Sequence, residues 1–304
     1  MVRPCCAVRC AVGEKMLPVY PHFVDVSLDL RPQIHNIFLE NRCGISSAGF
    51  YNLYLFRQKY GFKVCLQENN LIIAGEESGK PFFSVLGEIP PQNILNELLE
   101  TYGCWKYISE KQAQELAGKL DVQEDRDNFE YLYLRTDLIE LPGRAFQKKR
   151  NLANAFEKIY KNDCEQKILD SNTLKDALHI LNEWRKLKNL SGDYNPAKEA
   201  LELNNELEFS GLVFYVRGVP AAYCQGEILA DKESFVVHFE KAIDEYKGIY
   251  QYVNREFARS LPQNIVYINR EQDLGDEGLR QAKMTYRPAR FVKLFKINAS
   301  TRAE

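Results

Sequence analysis

Hydrophobic and polar positions along this chain alternate with two periods, and the changes of period mark its elements. An amphipathic run from Leu30 to Glu40 predicts a first helix. Residues 62–88, "FKVCLQENNLIIAGEESGKPFFSVLGE", are short β-rich runs broken by "ENN" and "EESGKP", the pattern of a meander. In "PPQNILNELLETYG", Ile94, Leu95, Leu98, Leu99 and Tyr102 fall on one helical stripe. Another helix opens at Ser109, with Gln112 at capping-box spacing. "FEYLYLR" (129–135) then predicts a strand and "GRAFQKKRNLANAFEKIY" (143–160) a helix.

The second half follows a similar order. Leu174, Leu178, Leu181 and Trp184 predict a helix over 173–190, and a further one covers about 196–207. Residues 209–229 read as a hairpin turning at Arg217 to Pro220, 234–242 as a strand, and Gly248 to Ser260 as a helix. A strand at 264–269 follows, and "FVKLFKI" (291–297) is expected to close the sheet. A shift of 105 residues lays Glu140 over Glu245, Gly143 over Gly248, Arg150 over Arg255 and Ala153 over Ala258. The echo predicts a duplication, with domains at 23–170 and 171–298 and short tails at 1–22 and 299–304.

At 304 residues, 45% hydrophobic and 27% charged, the chain is long enough for two domains with real cores. A net charge of −2 excludes a global polyanion-binding surface, so any anion site must be local. No apolar run approaches the roughly 20 residues that span a bilayer. The start, with Arg3 and Arg9, is too short and too charged for a secretory leader. A cytoplasmic protein is therefore expected, with its eight cysteines as free thiols. Cys5, Cys6 and Cys10 lie close together, but there is no CxxC pair, and no metal site is expected.

Candidate chemistry concentrates at strand ends. Gly143 and Gly248 each release a strand into a predicted helix, where main-chain N–H groups can meet an anion. By strict alternation, His238 and Glu240 share one face of their strand, and Asn269 and Glu271 share a face of the next. If these strands are parallel neighbours, all four residues surround one crevice. A core histidine and a buried ion pair of Glu240 are the rival readings. In "NREQDLGDEGLRQAKMTYRP", Asp276 suits an N-cap, Glu277 the first turn, and Arg280 pairs with both. That leaves Asn269, Arg270, Glu271 and Asp273 for the crevice, unless Arg270 and Arg280 neutralise the acids structurally. Two basic clusters, Arg144, Lys148, Lys149 and Arg150, and Arg280, Lys283, Arg287, Arg290, Lys293 and Lys296, read as solvated faces or as the footprint of a phosphate-bearing ligand.

Four blocks, "YLRTDLIELPGRAFQKKRN", "VVHFEKA", "YINREQDLGDEGLRQAKMTYRP" and "KLFKI", resemble the bacterial DUF2156 family, grouped with the C-terminal domain of phosphatidylglycerol lysyltransferases. The resemblance spans about residues 23–298 and implies an α+β fold: a tandem duplicated GNAT-like (acyl-CoA N-acyltransferase) arrangement, each half a mixed sheet flanked by helices, as in Fem-type peptidyltransferases. Membrane-bound relatives move an amino acid from aminoacyl-tRNA to a lipid head group; this chain lacks their transmembrane half. Of an acetyl-CoA loop, "EYKGIY" keeps Gly248, with Tyr250 in place of a small residue.

The reading is thus a soluble acyl- or aminoacyltransferase without a permanently bound cofactor, its donor aminoacyl-tRNA or acyl-CoA and its acceptor an amine or hydroxyl. Glu240 or Glu271 is the candidate base, with His238 and Asp273 beside them. N–H groups near Gly248, or Asn269 and Tyr286, would meet the oxyanion. Arg270, Tyr250, Arg280, Lys283, Arg144, Lys149 and Arg150 would hold the donor. The alternatives are a CoA-dependent N-acetyltransferase and a non-catalytic binding protein on a degenerate GNAT scaffold.

Overall fold

The computed structural model describes residues 16–41, 44–188 and 192–299. Cys5, Cys6, Cys10 and most of both expected tails lie outside the described residues. Within them run β1 (Val24–Asp25), β2 (Lys63–Gln67), β3 (Asn70–Glu77), β4 (Lys80–Leu86), β5 (Cys104–Ile108), β6 (Gln123–Glu124) and β7 (Glu130–Leu134). They are followed by β8 (Cys164–Ile168), β9 (Ser210–Val216), β10 (Val219–Ile228), β11 (Ser234–Ala242), β12 (Tyr267–Asn269), β13 (Arg290–Val292) and β14 (Phe295–Asn298). The helices are α1 (Arg31–Glu40), α2 (Phe50–Leu55), α3 (Arg57–Tyr60), α4 (Gln92–Tyr102), α5 (Glu110–Leu116) and α6 (Arg135–Glu140), then α7 (Gln147–Tyr160), α8 (Leu174–Lys188), α9 (Tyr194–Glu202), α10 (Ile249–Ser260) and α11 (Glu277–Met284).

The strands form two seven-stranded sheets, ordered β1-β2-β3-β4-β5-β14-β6 and β8-β9-β10-β11-β12-β7-β13. Both are antiparallel except at the fourth and fifth positions, where β4 runs parallel to β5 and β11 to β12. In each case a helix, α4 or α10, makes the crossover between the parallel pair. The two sheets therefore share one topology, the tandem GNAT-like fold.

This pairing corrects the 105-residue echo. That shift lays β7 over β11, yet both belong to the second sheet. The topological repeat instead matches β4–α4–β5 with β11–α10–β12. It also moves the division of the chain. The sixth strand of the second sheet, β7, precedes residue 170, and the sixth strand of the first, β14, is the last strand described. The change of sheet thus falls before Glu130, with β14 returned to the first sheet, rather than near 170. For the same reason "FVKLFKI" does not close one sheet: β13 joins the second and β14 the first.

Three apolar layers follow. Leu95, Leu98 and Trp105 pack α4 on the outer face of the first sheet. Val253, Phe257 and Phe156 pack α10 and α7 on the outer face of the second. Between the sheets, Val64, Ile73, Val213 and Val236 share one core with Ile34 of α1, Leu53 of α2, Ile180 and Leu181 of α8 and Leu201 of α9. Ser109 and Gln112 form the expected capping box of α5.

Gly143 and Gly248 part company with the sequence reading. The helix expected from 143 begins only at Gln147, and Gly143 sits in the turn between α6 and α7. Gly248 does cap α10, at φ 91°, but a Cβ there would run into the Leu152 carbonyl oxygen of α7. Close helix packing therefore requires this glycine. Gly248→Ala should lower stability by about 2 kcal/mol or more, from the steric overlap and the left-handed backbone together. Denaturant unfolding checks this; an unchanged midpoint would contradict the packing account.

Candidate active site

β12 pairs with β11 only from Ser234↔Tyr267 to Val236↔Asn269. Beyond that point β11 continues to Ala242, while the chain after Asn269 turns to β7, where the Arg270 N–H donates to the Tyr131 carbonyl at 3.0 Å. The strands part, and a cleft of about 850 Å³ opens between them. Val237, His238, Glu240 and Lys241 line it, with Arg270–Gln272 and Leu279, Ala282 and Lys283 of α11. Phe56, Lys59, Tyr60 and Trp184 complete the lining. In the first sheet the equivalent parting of β4 and β5 holds a smaller cavity of about 450 Å³, and there Gln112 Nε2 donates to the carbonyls of Val85 (3.2 Å) and Gly87 (3.0 Å).

A bulge sets the direction of the side chains in β11. Phe239 pairs with Gln225 and Val237 with Gly226, which leaves His238 as an extra residue. Gly226 is required there, because a Cβ would overlap the Val236 carbonyl. Strict alternation fails, so His238 and Glu240 do not share a face as expected. His238 lies against Phe209 of the central core. Glu240 instead turns to Asn254 of α10, whose Nδ2 donates to it at 2.8 and 2.9 Å.

His238 is held between two carboxylates, with Nδ1 3.0 Å from Glu271 and Nε2 3.3 Å from Glu227. Burial alone would lower its pKa; Glu271 and Glu227 outweigh burial and raise it to about 10. For Glu271, burial alone would raise the carboxyl, and the imidazolium holds it below the usual carboxylate range. Glu271 Oε1 also accepts from Asn52 Nδ2 at 2.8 Å and Ser46 Oγ at 3.4 Å. All three contacts fall on Oε1. Oε2 takes no hydrogen bond among the described residues, and Glu271 borders the cleft. Its φ of 55° is unusual for a glutamate, a strain of about 1–3 kcal/mol held by the surroundings.

Of the residues singled out from the sequence, His238, Glu240, Arg270, Glu271 and Lys283 line this cleft. The structural reading holds for Glu240, whose carboxylate meets Arg270 at 3.2 Å. Lys283 Nζ donates to the carbonyls of Arg270, Glu271 and Gln272 at 2.5, 3.0 and 2.5 Å, so it pins the loop after β12. Burial lowers its amine to about 8. Asn269 is fully buried behind the cleft, and its Nδ2 is bound to Glu130 at 2.6 Å. Asp273 is not on the rim as expected. It is fully buried, bridged to Arg126 (3.2 Å) and Arg280 (2.7 Å), and it accepts from the Tyr131 hydroxyl.

The other expected contacts lie outside the cleft lining. Tyr250 OH bonds the main chain of Ala242. Tyr286 is buried, with Lys149 over its ring at 4.1 Å and Arg270 at 5.4 Å. Arg150 donates to the carbonyls of Leu141 and Gly143, and Arg144 is exposed in the turn before α7. The basic run from Arg280 to Lys296 is not one face. Arg280 meets Asp127 and Asp273, Lys293 meets Glu124, and Lys296 meets Asp125. Asp276 caps α11 through Leu279 N at 2.7 Å, as its position predicts.

Sequence reasoning missed Asn52, Ser46, Glu130 and Glu227. Two signals were available: Glu130 interrupts the apolar run "FEYLYL", and Glu227 ends a long apolar strand. Among the described residues, no group of three or more His, Cys, Asp or Glu is placed to hold a metal, and no helix is long and apolar enough to cross a membrane.

The family described as phosphatidylglycerol lysyltransferase, C-terminal, matches residues 44–298. The chain belongs to this family. An uncharacterised protein of Mycoplasmoides gallisepticum is 26% identical over 188 residues, a stretch covering 59% of this chain and 59% of that protein. A crystal structure of a conserved Bacteroides thetaiotaomicron protein of unknown function is 28% identical and has a TM-score of 0.82, over 93% of this chain and 99% of that one. The structure of L-PGS from Bacillus licheniformis matches with a TM-score of 0.60 at 13% identity, over 95% of this chain and 96% of that one, a likeness of fold. The phosphatidylglycerol lysyltransferase C-terminal family is one of acyl- and aminoacyltransferases.

The Asp273 cluster gives a stability test. Burial alone would raise this carboxyl, but Arg280 and Tyr131 bring it to about 2. A lowered folded pKa adds stability that is present above the ordinary value of about 3.9 and is lost as pH falls towards 2. Wild type should therefore lose stability across that window. Asp273→Asn should be weaker at pH 7 by about 1–3 kcal/mol and show a flatter acid limb. Superimposable pH–stability curves would refute the assignment.

Proposed function

We propose that this chain transfers an activated aminoacyl group from an aminoacyl ester, such as aminoacyl-tRNA, to an amine or hydroxyl in the cleft beside β11, with Glu271 as the base. The observation that carries this reading is the Glu271 carboxylate: one oxygen fixed by Asn52, Ser46 and His238, the other without a hydrogen bond among the described residues, in a residue that lines the cleft.

The chemistry suits a carboxylate kept ionised by an imidazolium. As a neutral amine attacks the ester carbonyl, its nitrogen becomes cationic and its proton acidic. Oε2 can take that proton and return it to the departing ribose oxygen as the C–O bond breaks and the new C–N bond closes. The imidazolium stabilises the ionised resting form of Glu271, and Glu227 holds the ring from the other side. Past Val236, β11 has no strand partner on the β12 side, so its edge offers main-chain N–H donors for a developing oxyanion. Asn269 and Tyr286, expected in that role, are committed to other partners.

An ester donor is favoured over a CoA thioester by Tyr250, which stands where an acetyl-CoA loop has a small residue and whose hydroxyl is bonded to the main chain of Ala242. Lys59, exposed on the cleft rim, is a local cation for a phosphate.

Hydroxylamine can stand in for the unknown acceptor. Wild type should form aminoacyl hydroxamate from bulk charged tRNA faster than it forms acetohydroxamate from acetyl-CoA. Glu271→Gln, folded as judged by its melting temperature, should lose at least about 100-fold of that rate. Equal rates for the two proteins, or activity confined to acetyl-CoA, would sink the proposal.

A further inference from the structure

Glu130 is a carboxylate that makes no ion pair among the described residues. It lies in β7, fully buried, and every contact it makes is to a donor. Oε2 accepts from the Ser46 N–H at 3.0 Å and from Asn269 Nδ2 at 2.6 Å. Oε1 accepts from Ser46 Oγ at 3.0 Å, the Ser47 N–H at 3.1 Å, Ser47 Oγ at 3.3 Å and Gln272 Nε2 at 3.1 Å. A buried charge satisfied by dipoles alone is costly to leave unpaired, and here six donors converge on two oxygens.

Those donors come from two separate segments. Ser46 and Ser47 precede α2, and Asn269 and Gln272 flank Glu271. Each arm goes on to hold Glu271. Asn269, anchored by its Nδ2, presents Oδ1 to the Glu271 N–H at 2.8 Å. That fixes the main chain of Glu271 in its left-handed conformation. On the other arm, Ser46 O accepts from Asn52 Nδ2 at 3.2 Å, and the same Nδ2 reaches Glu271 Oε1. Glu130 is thus bonded to the support of both the backbone and the carboxylate of Glu271, without touching the cleft itself.

We propose that Glu130 is a positioning residue, whose buried carboxylate sets the placement of Glu271 against His238. Burial pushes this carboxyl up, while hydrogen bonds from Ser46, Asn269 and Ser47 favour its ionised form; the Ser46 and Ser47 N–H groups among them can only donate. A glutamine would bring an NH2 group against at least one of them. Its catalytic consequence rests on the reading of Glu271 as the base, but the geometry can be tested without turnover.

The readout is the imidazole of His238, one of four histidines, observed by 15N NMR and assigned by comparison with His238→Gln. That ring faces Glu227 from β10 and Glu271 after β12, with Phe209 and Phe239 packed against it. In wild type it should titrate near pH 10. In Glu130→Gln, Glu271 should leave the ring while Glu227 remains. The titration should then fall by at least about one pH unit, a tenfold larger neutral fraction at a given pH. A folded Glu130→Gln protein with an unchanged His238 titration overturns the proposal, even if its melting temperature has dropped. If Glu130→Gln does not fold, Asn269→Ala decides the matter. It cuts the link to the Glu271 N–H while Glu130 keeps its five other donors, and an unshifted imidazole there overturns the proposal equally. Loss of hydroxamate formation has no part in this test, so it can succeed or fail whatever becomes of Glu271 as base.

Discussion

The parting of two parallel strands is the constraint on which this molecule turns. Hydrogen bonding holds β11 and β12 together for three residue pairs and then releases them. A sheet that gives up its ladder must satisfy or expose the freed groups. The first sheet satisfies two of them with the Gln112 side chain and keeps the smaller cavity, about 450 Å³; the second opens to about 850 Å³ and lines the space with ion pairs that neutralise one another. The two halves of one topology differ in the size and the charge of this opening.

The loop after β12 works under the same constraint. Once Asn269 leaves the ladder, the next three carbonyls gather on the Lys283 ammonium, and two neighbouring side chains reach back to Glu130. The strained backbone at Glu271 is the result of these fixed ends. Among the described residues the second Glu271 carboxylate oxygen has no partner, at the surface of a heavily bonded network, a placement that chain flexibility alone would not hold.

Much of the fold was legible because periodicity reports burial. The meander, the α4 stripe, the hairpin and the crossover at α10 follow from patterns of two and 3.6 residues, and the α5 and α11 caps from side-chain chemistry. What escaped was long-range or irregular. Four matching residues suggested the wrong repeat, because β7 and β11 are similar strands of one sheet. The bulge at His238 adds one residue and reverses the alternation that had joined it to Glu240. His238, Glu271 and Arg270 were found because charged groups at strand ends stand out. Ser46 and Asn52 were not, since nothing local distinguishes them from ordinary polar residues near a helix. Asp273 was misplaced because a carboxylate beside a glycine turn looks the same whether it faces solvent or two arginines.

The crossed strands also bear on how such a chain is made. The sixth place in the first sheet belongs to β14, which follows every strand of the second sheet in the chain, while β7 belongs to a sheet whose other members are all synthesised after it. The first sheet therefore cannot be finished while the second is still being built. The nascent chain must carry an incomplete sheet edge until β14 has been made, and completion of both halves becomes a single event.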